Sequence, residues 1–394
     1  MISPPISKKR KEEIFLALDI GTEAIKALIF KREKEKNIIL GADLKEYYRL
    51  GIQDGLDLEK ETMKGAILEV VNEAKNQAKI KTKDYITLWR PPGSILKERI
   101  VFNYFRRENP KKIISREEDG EIYKKIINQA QQEISQEIFQ KFGILPQDLH
   151  FIDCRILQRK IDGYQVNQLT GFSGQELVSR ILLTFMPRNY LEEIRRVAKD
   201  LNLNNSRLVP EAESLFLAFF GQKVTGIFLD IGGRSTQIFL VRNGQLKALN
   251  DFEMGGDIFS QKLSHTLGID EVQAEELKIR YTQRVLSEEV RKRIKEIFHF
   301  SCQFWFNSLK LKLKEIYQKE EKIFPPIIFI FGGGSLLPEI EEILGEGKWE
   351  DLPFLSQPEI KFVLPKDLKN IRDKGKIITT SQYIPSLLLC YTNA

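Results

Sequence analysis

Two distant parts of the chain repeat one pattern of apolar and polar positions. In the first, an apolar run over residues 14–19 meets a short polar turn and a second apolar run over residues 24–30. In the other, residues 226–230 lead through a glycine-rich turn into residues 237–242, which end at an Asn-Gly pair. Paired apolar runs around a tight turn predict a β-hairpin, and Asn-Gly is a strong hairpin signal. The chain therefore carries an internal repeat of one supersecondary unit.

Three longer stretches have apolar residues every three or four positions, which is the spacing of one helix face. One follows each hairpin, and one lies between the hairpins in a region with strand-like runs of its own. The three faces consist of Met63, Ala66, Ile67, Val70, Val71 and Ala74; of Ile122, Ile126, Ile127, Ala130, Ile134 and Ile138; and of Val290, Ile294, Ile297, Phe298, Trp305, Leu309, Leu313 and Ile316. We predict an amphipathic helix packed on a core at each.

A chain of 394 residues is long enough for two lobes of roughly 150 to 200 residues each. Strands alternating with helices predict an α/β protein. The predicted divisions are a basic tail over 1–12, the first lobe over 13–93 and 173–223, an inserted subdomain over 94–172 and the second lobe over 224–394.

The composition argues against several classes of protein. The 61 basic and 55 acidic residues are interleaved, so nucleic-acid binding is not implied. The densest basic run, residues 8–11, is typical of a solvated arm, with weak attraction to anionic lipid as the alternative. Cys154, Cys302 and Cys390 lie far apart without CxxC spacing, which favours a reducing cytosolic compartment. No apolar run approaches the ~20 residues that cross a bilayer.

The candidate chemistry lies in three glycine-containing loops. In the first, Asp19 ends a strand, and Gly21 and Thr22 form a turn whose backbone N–H groups can approach a phosphate closely. A carboxylate there suits Mg²⁺, so we expect Asp19 and Asp230 to hold this ion through water. The second loop offers Asp230, Gly232, Gly233, Ser235 and Thr236, and the third offers Gly332, Gly333, Gly334 and Ser335. His150, His265 and His299 lack ligand spacing, so Mg²⁺ carried with a nucleotide is the metal we expect.

The order of these loops resembles the phosphate-1, phosphate-2 and adenosine motifs of the actin-like ATPase superfamily, over nearly the whole chain. The resemblance implies a bilobal fold of duplicated RNase H-like domains, with an inserted α+β subdomain of the SHS2 type in the first lobe. It also implies ATP and Mg²⁺ as ligands.

Further motifs resemble the FtsA family of bacterial cell-division proteins. The end of the inserted region, with Asp-Gly at 162–163 and residues 171–174, is similar to that family, as is the pair Gly255 and Gly256. Residues 274–278 match the AE-x-x-K helix of the family. That match implies Glu275 near the ribose and Lys278 near the adenine, whereas a surface ion-pair face is the alternative for this helix.

A related family, the PilM proteins of type IV pili, resembles the first loop more closely because Lys26 lies seven residues after Asp19. We include Lys26 among the expected nucleotide-binding residues. The inserted region fits both families, and residues 171–174 favour FtsA.

Two departures from the family pattern bear on hydrolysis. Arg234 stands where FtsA usually has a third glycine. Its guanidinium could contact phosphate or obstruct the loop, and we expect its side chain to point outward. Val209 stands where many actin-like ATPases have an acid that orients water, and an aliphatic side chain cannot accept a proton. Glu211 and Glu213 are the candidate catalytic substitutes, although both are equally typical of the acidic first turn of a helix. The resemblance therefore implies at most a slow ATPase.

By resemblance, we expect a cytoplasmic, ATP-binding scaffold that self-associates and recruits partners. The expected partner is the tail of the tubulin-like division protein FtsZ or, for a PilM-like protein, a membrane-anchored pilus peptide. A metabolite kinase of the same fold and a pseudo-ATPase acting purely as an interaction module are the rivals. Residues 383–391 resemble the closing helix of the family, with Leu387 to Leu389 as core. We therefore expect contact with the inner face of the cell membrane only through a partner.

Overall fold

The computed structural model describes residues 13–50, 52, 56–80, 85–203, 205–219, 223–320 and 322–392. The basic run at residues 8–11 lies outside these ranges. The strands are β1 (Ile14–Ile20), β2 (Ala24–Glu33), β3 (Lys36–Glu46), β4 (Ile86–Arg90), β5 (Lys97–Arg106), β6 (Leu149–Ile161), β7 (Tyr164–Val166), β8 (Glu176–Pro187), β9 (Ser206–Leu208), β10 (Gly226–Ile231), β11 (Thr236–Arg242), β12 (Gln245–Phe252), β13 (Ile327–Phe331), β14 (Glu359–Phe362) and β15 (Ile371–Asp373).

The α-helices are α1 (Tyr47–Leu50), α2 (Glu61–Ala78), α3 (Arg116–Phe142), α4 (Arg188–Asp200), α5 (Glu211–Phe219), α6 (Asp257–Leu267), α7 (Glu271–Thr282), α8 (Glu288–Glu320), α9 (Pro338–Glu346) and α10 (Ile384–Leu388). Short 3-10 helices lie at Pro146–Asp148, Gly333–Leu336, Pro365–Asp367, Ser381–Tyr383 and Leu389–Tyr391. Within the described ranges, no helix is long and apolar enough to span a membrane.

The sheet of the first lobe has the order β15-β3-β2-β1-β4-β9. β1 pairs antiparallel with β2, which confirms the first predicted hairpin, and parallel with β4 on its other side. This register places Asp19 beside Lys26 on one strand and beside Arg90 on the other. The predicted face of α2 is buried as expected, because the apolar positions every three or four residues all meet the sheet.

The sheet of the second lobe has the order β12-β11-β10-β13-β14, and it repeats the pattern of one antiparallel hairpin beside a parallel strand. The second predicted hairpin, with its Asn-Gly turn, is therefore confirmed. Helix α8 packs its apolar face into the core of this lobe. Val290 is the exception to the predicted face, since its side chain is 41% exposed near the beginning of the helix.

The inserted subdomain is a sheet of order β5-β8-β6-β7 with α3 packed on one face. β8 belongs to this sheet, so the sheet runs past residue 172, where we placed the end of the insertion. In the same way, β15 pairs with β3 of the first lobe although it lies within 224–394. The chain thus returns to the first lobe near its end.

Side chains of β5 connect the insertion to both lobes. Lys97 and Arg99 each form an ion pair of 2.6 Å with Asp251 on β12 of the second lobe. Between them, Glu98 points to the other side, where it accepts a hydrogen bond from the backbone N–H of Ala212 at 3.0 Å. Arg180 on β8 also pairs with Glu320 at the end of α8. Alternating side chains of one strand therefore contact both lobes.

Candidate functional site

A cleft of about 280 Å³ lies between the two lobes. Its lining contains most of the residues singled out from the sequence: Gly21, Thr22, Lys26, Asp230, Gly232, Gly233, Ser235, Gly256, Glu275, Lys278, Gly332, Gly333 and Gly334. The three loops that we predicted to act together therefore meet in space. Their meeting follows from the duplicated hairpins, whose turns face each other across the cleft.

The first two loops touch directly. The backbone N–H of Arg234 donates to Thr22 Oγ1 at 3.1 Å, which joins the turn of one lobe to the turn of the other. A Cβ on Gly233 would lie 2.4 Å from Thr22 Oγ1 and 2.3 Å from Cγ of Glu23. A larger residue at this position would force the side chains of Thr22 and Glu23 to move.

The third loop turns at Gly332, whose φ of +90° is a conformation that favours glycine. A Cβ there would also lie 2.3 Å from Asp230 Oδ1. Ser335 Oγ donates to the Gly332 carbonyl at 2.7 Å and lies 3.0 Å from Ser381 Oγ. Ser335 is therefore buried beneath the loop and holds its shape.

The predicted glycine pair divides into two roles. The backbone N–H groups of Gly256 and Asp257 donate to the carbonyls of Gly232 and Gly233, each at 2.9 Å. Gly255 lies against these same carbonyls, and a Cβ on it would be 2.3 and 2.4 Å from the two oxygens. Gly255 thus permits the loops to pack, whereas Gly256 faces the cleft.

Thr236 is buried behind the second loop. Its hydroxyl donates to the Met254 carbonyl at 2.8 Å and accepts from Trp305 Nε1 at 3.0 Å. Thr236 therefore positions the loop from behind, without lining the cleft.

The AE-x-x-K segment lies on α7, which begins with a capping box formed by Asp270 and Gln273. The spacing of three residues puts Glu275 and Lys278 on one face, where they form an ion pair of 2.6 Å. Lys278 Nζ also donates to the Gly256 carbonyl at 2.9 Å. Both side chains face the cleft, so this face of the helix is not a simple surface ion pair.

Arg90 is the main residue of the site that the sequence did not reveal. It ends β4, and its guanidinium lies between the lobes: Nη1 donates to Asp19 Oδ1 at 3.0 Å, and Nη2 donates to Asp230 Oδ2 and to Glu211 Oε2, both at 2.6 Å. Lys26 Nζ completes the cluster with a 3.0 Å bond to Asp19 Oδ2. The sequence does contain one signal that could have drawn attention to Arg90: a basic residue ends an apolar strand directly before Pro-Pro-Gly.

The charges of this cluster are strongly coupled. Burial alone would raise the pKa of Asp19, but the cations of Lys26 and Arg90 outweigh it and hold the pKa below its ordinary value. Burial raises the pKa of Glu211 well above its ordinary value, and the Asp230 carboxylate adds to the shift against the opposing charge of Arg90. Burial also raises the pKa of Asp230.

Glu23 is a second residue that we did not anticipate in the cleft. Burial, followed by the nearby Glu275 carboxylate, raises its pKa to about 8, and Lys278 opposes this shift. Glu23 therefore holds its proton at neutral pH, which reduces the negative charge near the loops.

The two carboxylates predicted to hold Mg²⁺ do not fit a hydrated ion in this arrangement. Asp19 is fully buried, and its oxygens accept from Arg90, Lys26 and Ser386. Asp230 Oδ1 has no hydrogen-bond partner among the described residues, but it is packed against Gly332. In the ranges that the structure describes, no group of three or more His, Cys, Asp or Glu side chains is arranged to hold a metal ion.

The candidate catalytic acids lie in different surroundings. Glu211 is bound by Arg90 at the beginning of α5. Glu213 instead pairs with Arg207 at 2.8 Å and Arg155 at 3.4 Å, and it lines a separate cleft of about 670 Å³ formed by β6, α4 and β9. Val209 is fully buried in an apolar core. An acid introduced at this position would be placed among apolar side chains.

The C-terminal part of the described chain also reaches the site. Leu387, Leu388 and Leu389 are fully buried, which confirms their prediction as core. Beside them, Ser386 Oγ donates to Asp19 Oδ2 at 3.0 Å. The closing helix is thus part of the support of the first loop.

Comparisons with known proteins agree with the sequence motifs. The family model for the cell division protein FtsA matches residues 227–360. The FtsA of Streptococcus pneumoniae is 23% identical over 368 residues, which cover 85% of this chain and 74% of that protein. The FtsA of Enterococcus hirae is 24% identical over 373 residues, which cover 85% of this chain and 76% of that protein.

Among solved structures, a chain of a PilM-PilN type IV pilus biogenesis complex superposes with a TM-score of 0.66 at 15% identity, covering 95% of this chain and 97% of that one. At this identity the superposition shows the shared fold alone. The predicted resemblance to FtsA and the predicted actin-like ATPase fold are confirmed.

Proposed function

We propose that this protein is a nucleotide-binding scaffold in bacterial cell division, in which nucleotide bound between the lobes controls self-association and the recruitment of partners. The observation that carries the proposal is the convergence of three glycine loops and the AE-x-x-K helix on one cleft shared by both lobes. A ligand that contacts both lobes stabilises the arrangement in which they are close.

The lining suggests how a nucleotide would lie. Backbone N–H groups around Gly233 and Gly333, together with Lys26 and Arg90, would face the phosphates. On the resemblance to the AE-x-x-K helix, Glu275 is assigned to the ribose and Lys278 to the base, and both line the cleft together with Ile279, Thr282 and Gln283. We propose ATP as the nucleotide, on the resemblance to actin-like ATPases.

Any hydrolysis is proposed to be slow. Burial raises the pKa of the Glu211 carboxyl well above its ordinary value, and Arg90 donates a hydrogen bond to this carboxyl. Glu213 faces the other cleft, where two arginines hold it. Neither acid is therefore available as a base to activate water, which favours a regulatory use of the nucleotide.

We further propose that the partner is the tail of FtsZ, and that the protein reaches the cytoplasmic face of the membrane through a partner. The FtsA family match over residues 227–360 supports the division role. The alternative is a component of type IV pilus assembly that binds a membrane-anchored pilus peptide. The position of Lys26, seven residues after Asp19 as in the first loop of PilM proteins, favours this second candidate.

The experiment has two parts. Calorimetry with ATP, ADP and AMP tests the cleft, with Lys278→Met as the variant. Lys310→Met is the control, because Lys310 pairs with Asp351 and does not line the cleft. We expect binding of ATP and ADP, weaker binding by Lys278→Met and no change in the control. Pull-down with an FtsZ tail peptide and a pilus peptide, with and without ATP, then tests the partner.

The outcomes separate the candidates. Retention of the FtsZ tail alone supports the division role, and retention of the pilus peptide alone supports the pilus role. No binding of any nucleotide would overturn the proposed function. ATP consumption stimulated by a sugar or an organic acid would instead indicate a metabolite kinase.

A further inference from the structure

We propose that this cleft binds the polyphosphate of its nucleotide without a divalent cation, because Arg90 occupies the place between Asp19 and Asp230 where the cation would lie. The inference rests on the proposed function, since it concerns the same nucleotide. In this proposal, the guanidinium of Arg90 takes the place of Mg²⁺.

The first argument is the position of the guanidinium. Asp19 and Asp230 hold matching positions in the duplicated units, each one residue before the end of its strand, β1 in the first lobe and β10 in the second. Arg90 donates to one oxygen of each, at 3.0 and 2.6 Å. A single cation therefore already bridges the pair of carboxylates that the motif comparison assigned to the metal.

The second argument is the supply of oxygen atoms. A hydrated Mg²⁺ is held when carboxylate oxygens accept hydrogen bonds from its water ligands. Asp19 Oδ1 accepts from Arg90, and Oδ2 accepts from both Lys26 and Ser386 at 3.0 Å. On Asp230, Oδ2 accepts from Arg90, while Oδ1 is buried next to Gly332 and has no partner among the described residues. Three of the four carboxylate oxygens are therefore already bonded to groups of the chain, and the fourth is buried.

The third argument is charge. Within the buried cluster, the positive charges of Arg90 and Lys26 face the carboxyl groups of Asp19, Asp230 and Glu211. A divalent ion inserted beside Arg90 would meet a like charge in a site from which water is largely excluded. Arg90 cannot lose its proton to relieve this repulsion, because arginine stays charged in proteins.

The fourth argument is that Arg90 is fixed in place yet faces the ligand. It ends β4, which lies between β1 and β9 in the sheet, and only 8% of its surface is exposed. The exposed part lines the cleft together with Lys26 and the glycine loops. A planar guanidinium suits phosphate oxygens, so Arg90 can neutralise a polyphosphate as a metal otherwise would.

The test compares nucleotide affinity of the full chain in excess Mg²⁺ and in excess EDTA, with ATP as the probe in calorimetry. We expect the two Kd values to agree within about tenfold, which is a difference in binding free energy of at most about 1.4 kcal/mol. Binding that is more than about tenfold weaker in EDTA would overturn the inference while leaving the proposed function intact. No binding in either buffer would overturn both.

A variant makes the comparison sharper. Arg90→Gln removes the resident charge and frees oxygens of Asp19 and Asp230, so we expect weaker binding in EDTA and at least tenfold recovery on adding Mg²⁺. Arg107→Gln is the matched control, because Arg107 is a buried arginine that pairs with Glu118 at 2.7 Å in the inserted subdomain, away from the cleft. An Arg90→Gln protein with the same response to Mg²⁺ as Arg107→Gln would contradict the assignment. The wild-type comparison decides the question even if Arg90→Gln does not fold.

Discussion

The two neighbouring glycines of the second lobe should respond in opposite ways to the same substitution. Replacing Gly255 by alanine places a methyl group 2.3 Å from the Gly232 carbonyl oxygen and 2.4 Å from that of Gly233. Replacing Gly256 by alanine brings the methyl group no closer than 3.5 Å to any atom, the nearest being Lys278 Nζ. The φ of Gly256 is −66°, which alanine adopts without strain.

The magnitude follows from the displaced contacts. The methyl group of Gly255→Ala needs about 1 Å more room at both carbonyls, and overpacking of this kind costs about 1–3 kcal/mol. Separating the loops also lengthens the hydrogen bonds from the N–H groups of Gly256 and Asp257, each worth about 1 kcal/mol. We therefore expect Gly255→Ala to lower the free energy of unfolding of the second lobe by about 2–4 kcal/mol, and Gly256→Ala by less than about 0.5 kcal/mol.

Thermal unfolding without nucleotide measures the difference. For a lobe of this size, the expected loss corresponds to a fall in Tm of roughly 6–12 °C for Gly255→Ala, with little change for Gly256→Ala. Nucleotide titration then separates packing from binding, because only Gly256 lines the cleft. Equal Tm values for the two variants would show that the loops do not pack as described.

Two further predictions concern stability. Burial raises the pKa of Glu98 to about 7, above its ordinary 4.5, so the folded protein loses stability as the pH rises between these values. In Glu98→Gln, the fall in the free energy of unfolding between about pH 5 and about pH 8 should be smaller than in the wild type by about 3 kcal/mol. An unchanged fall in the variant would contradict this prediction. Gly41→Ala should destabilise the first lobe, because the new Cβ would lie 2.1 Å from the Ala74 carbonyl of α2. Gly65 lies on α2 itself, and a Cβ there meets nothing within 4 Å. Gly65→Ala should therefore stabilise the lobe by up to about 1 kcal/mol. Denaturant titration checks both signs, and the same sign for both glycines would refute the packing argument.

The local elements of this protein could be predicted because their signals lie within a few residues of each other. Both hairpins and the buried faces of α2 and α3 agree with the sequence pattern, since strand and helix periodicity reflects which side faces a core. Val290 departs from the pattern because the first turns of α8 extend beyond the core that buries the rest of the face. Periodicity shows which side of a helix is apolar, but it does not show how far along the helix the core extends.

The extent of the inserted sheet and the path of the last strand were not predictable in the same way. β8 and β15 pair with strands that are distant in sequence, and such pairings leave no local signal of which sheet a strand joins. The placement of Glu213 shows the same limit. It lies two residues after Glu211, yet the turn of α5 directs the Glu211 carboxyl to Arg90 and the Glu213 carboxyl to a separate cleft.

The glycine loops, their order and the two carboxylates were determined by the sequence itself, because a chain that turns tightly beside a phosphate needs these residue types in local order. The tertiary structure alone decided that Arg90 lies between the carboxylates of Asp19 and Asp230. Arg90 reaches Asp19 through the parallel pairing of β1 and β4, and it reaches Asp230 only when the two lobes are close. A buried ion pair depends on the positions of groups far apart in the chain, so the cation of this site becomes visible only in the folded molecule.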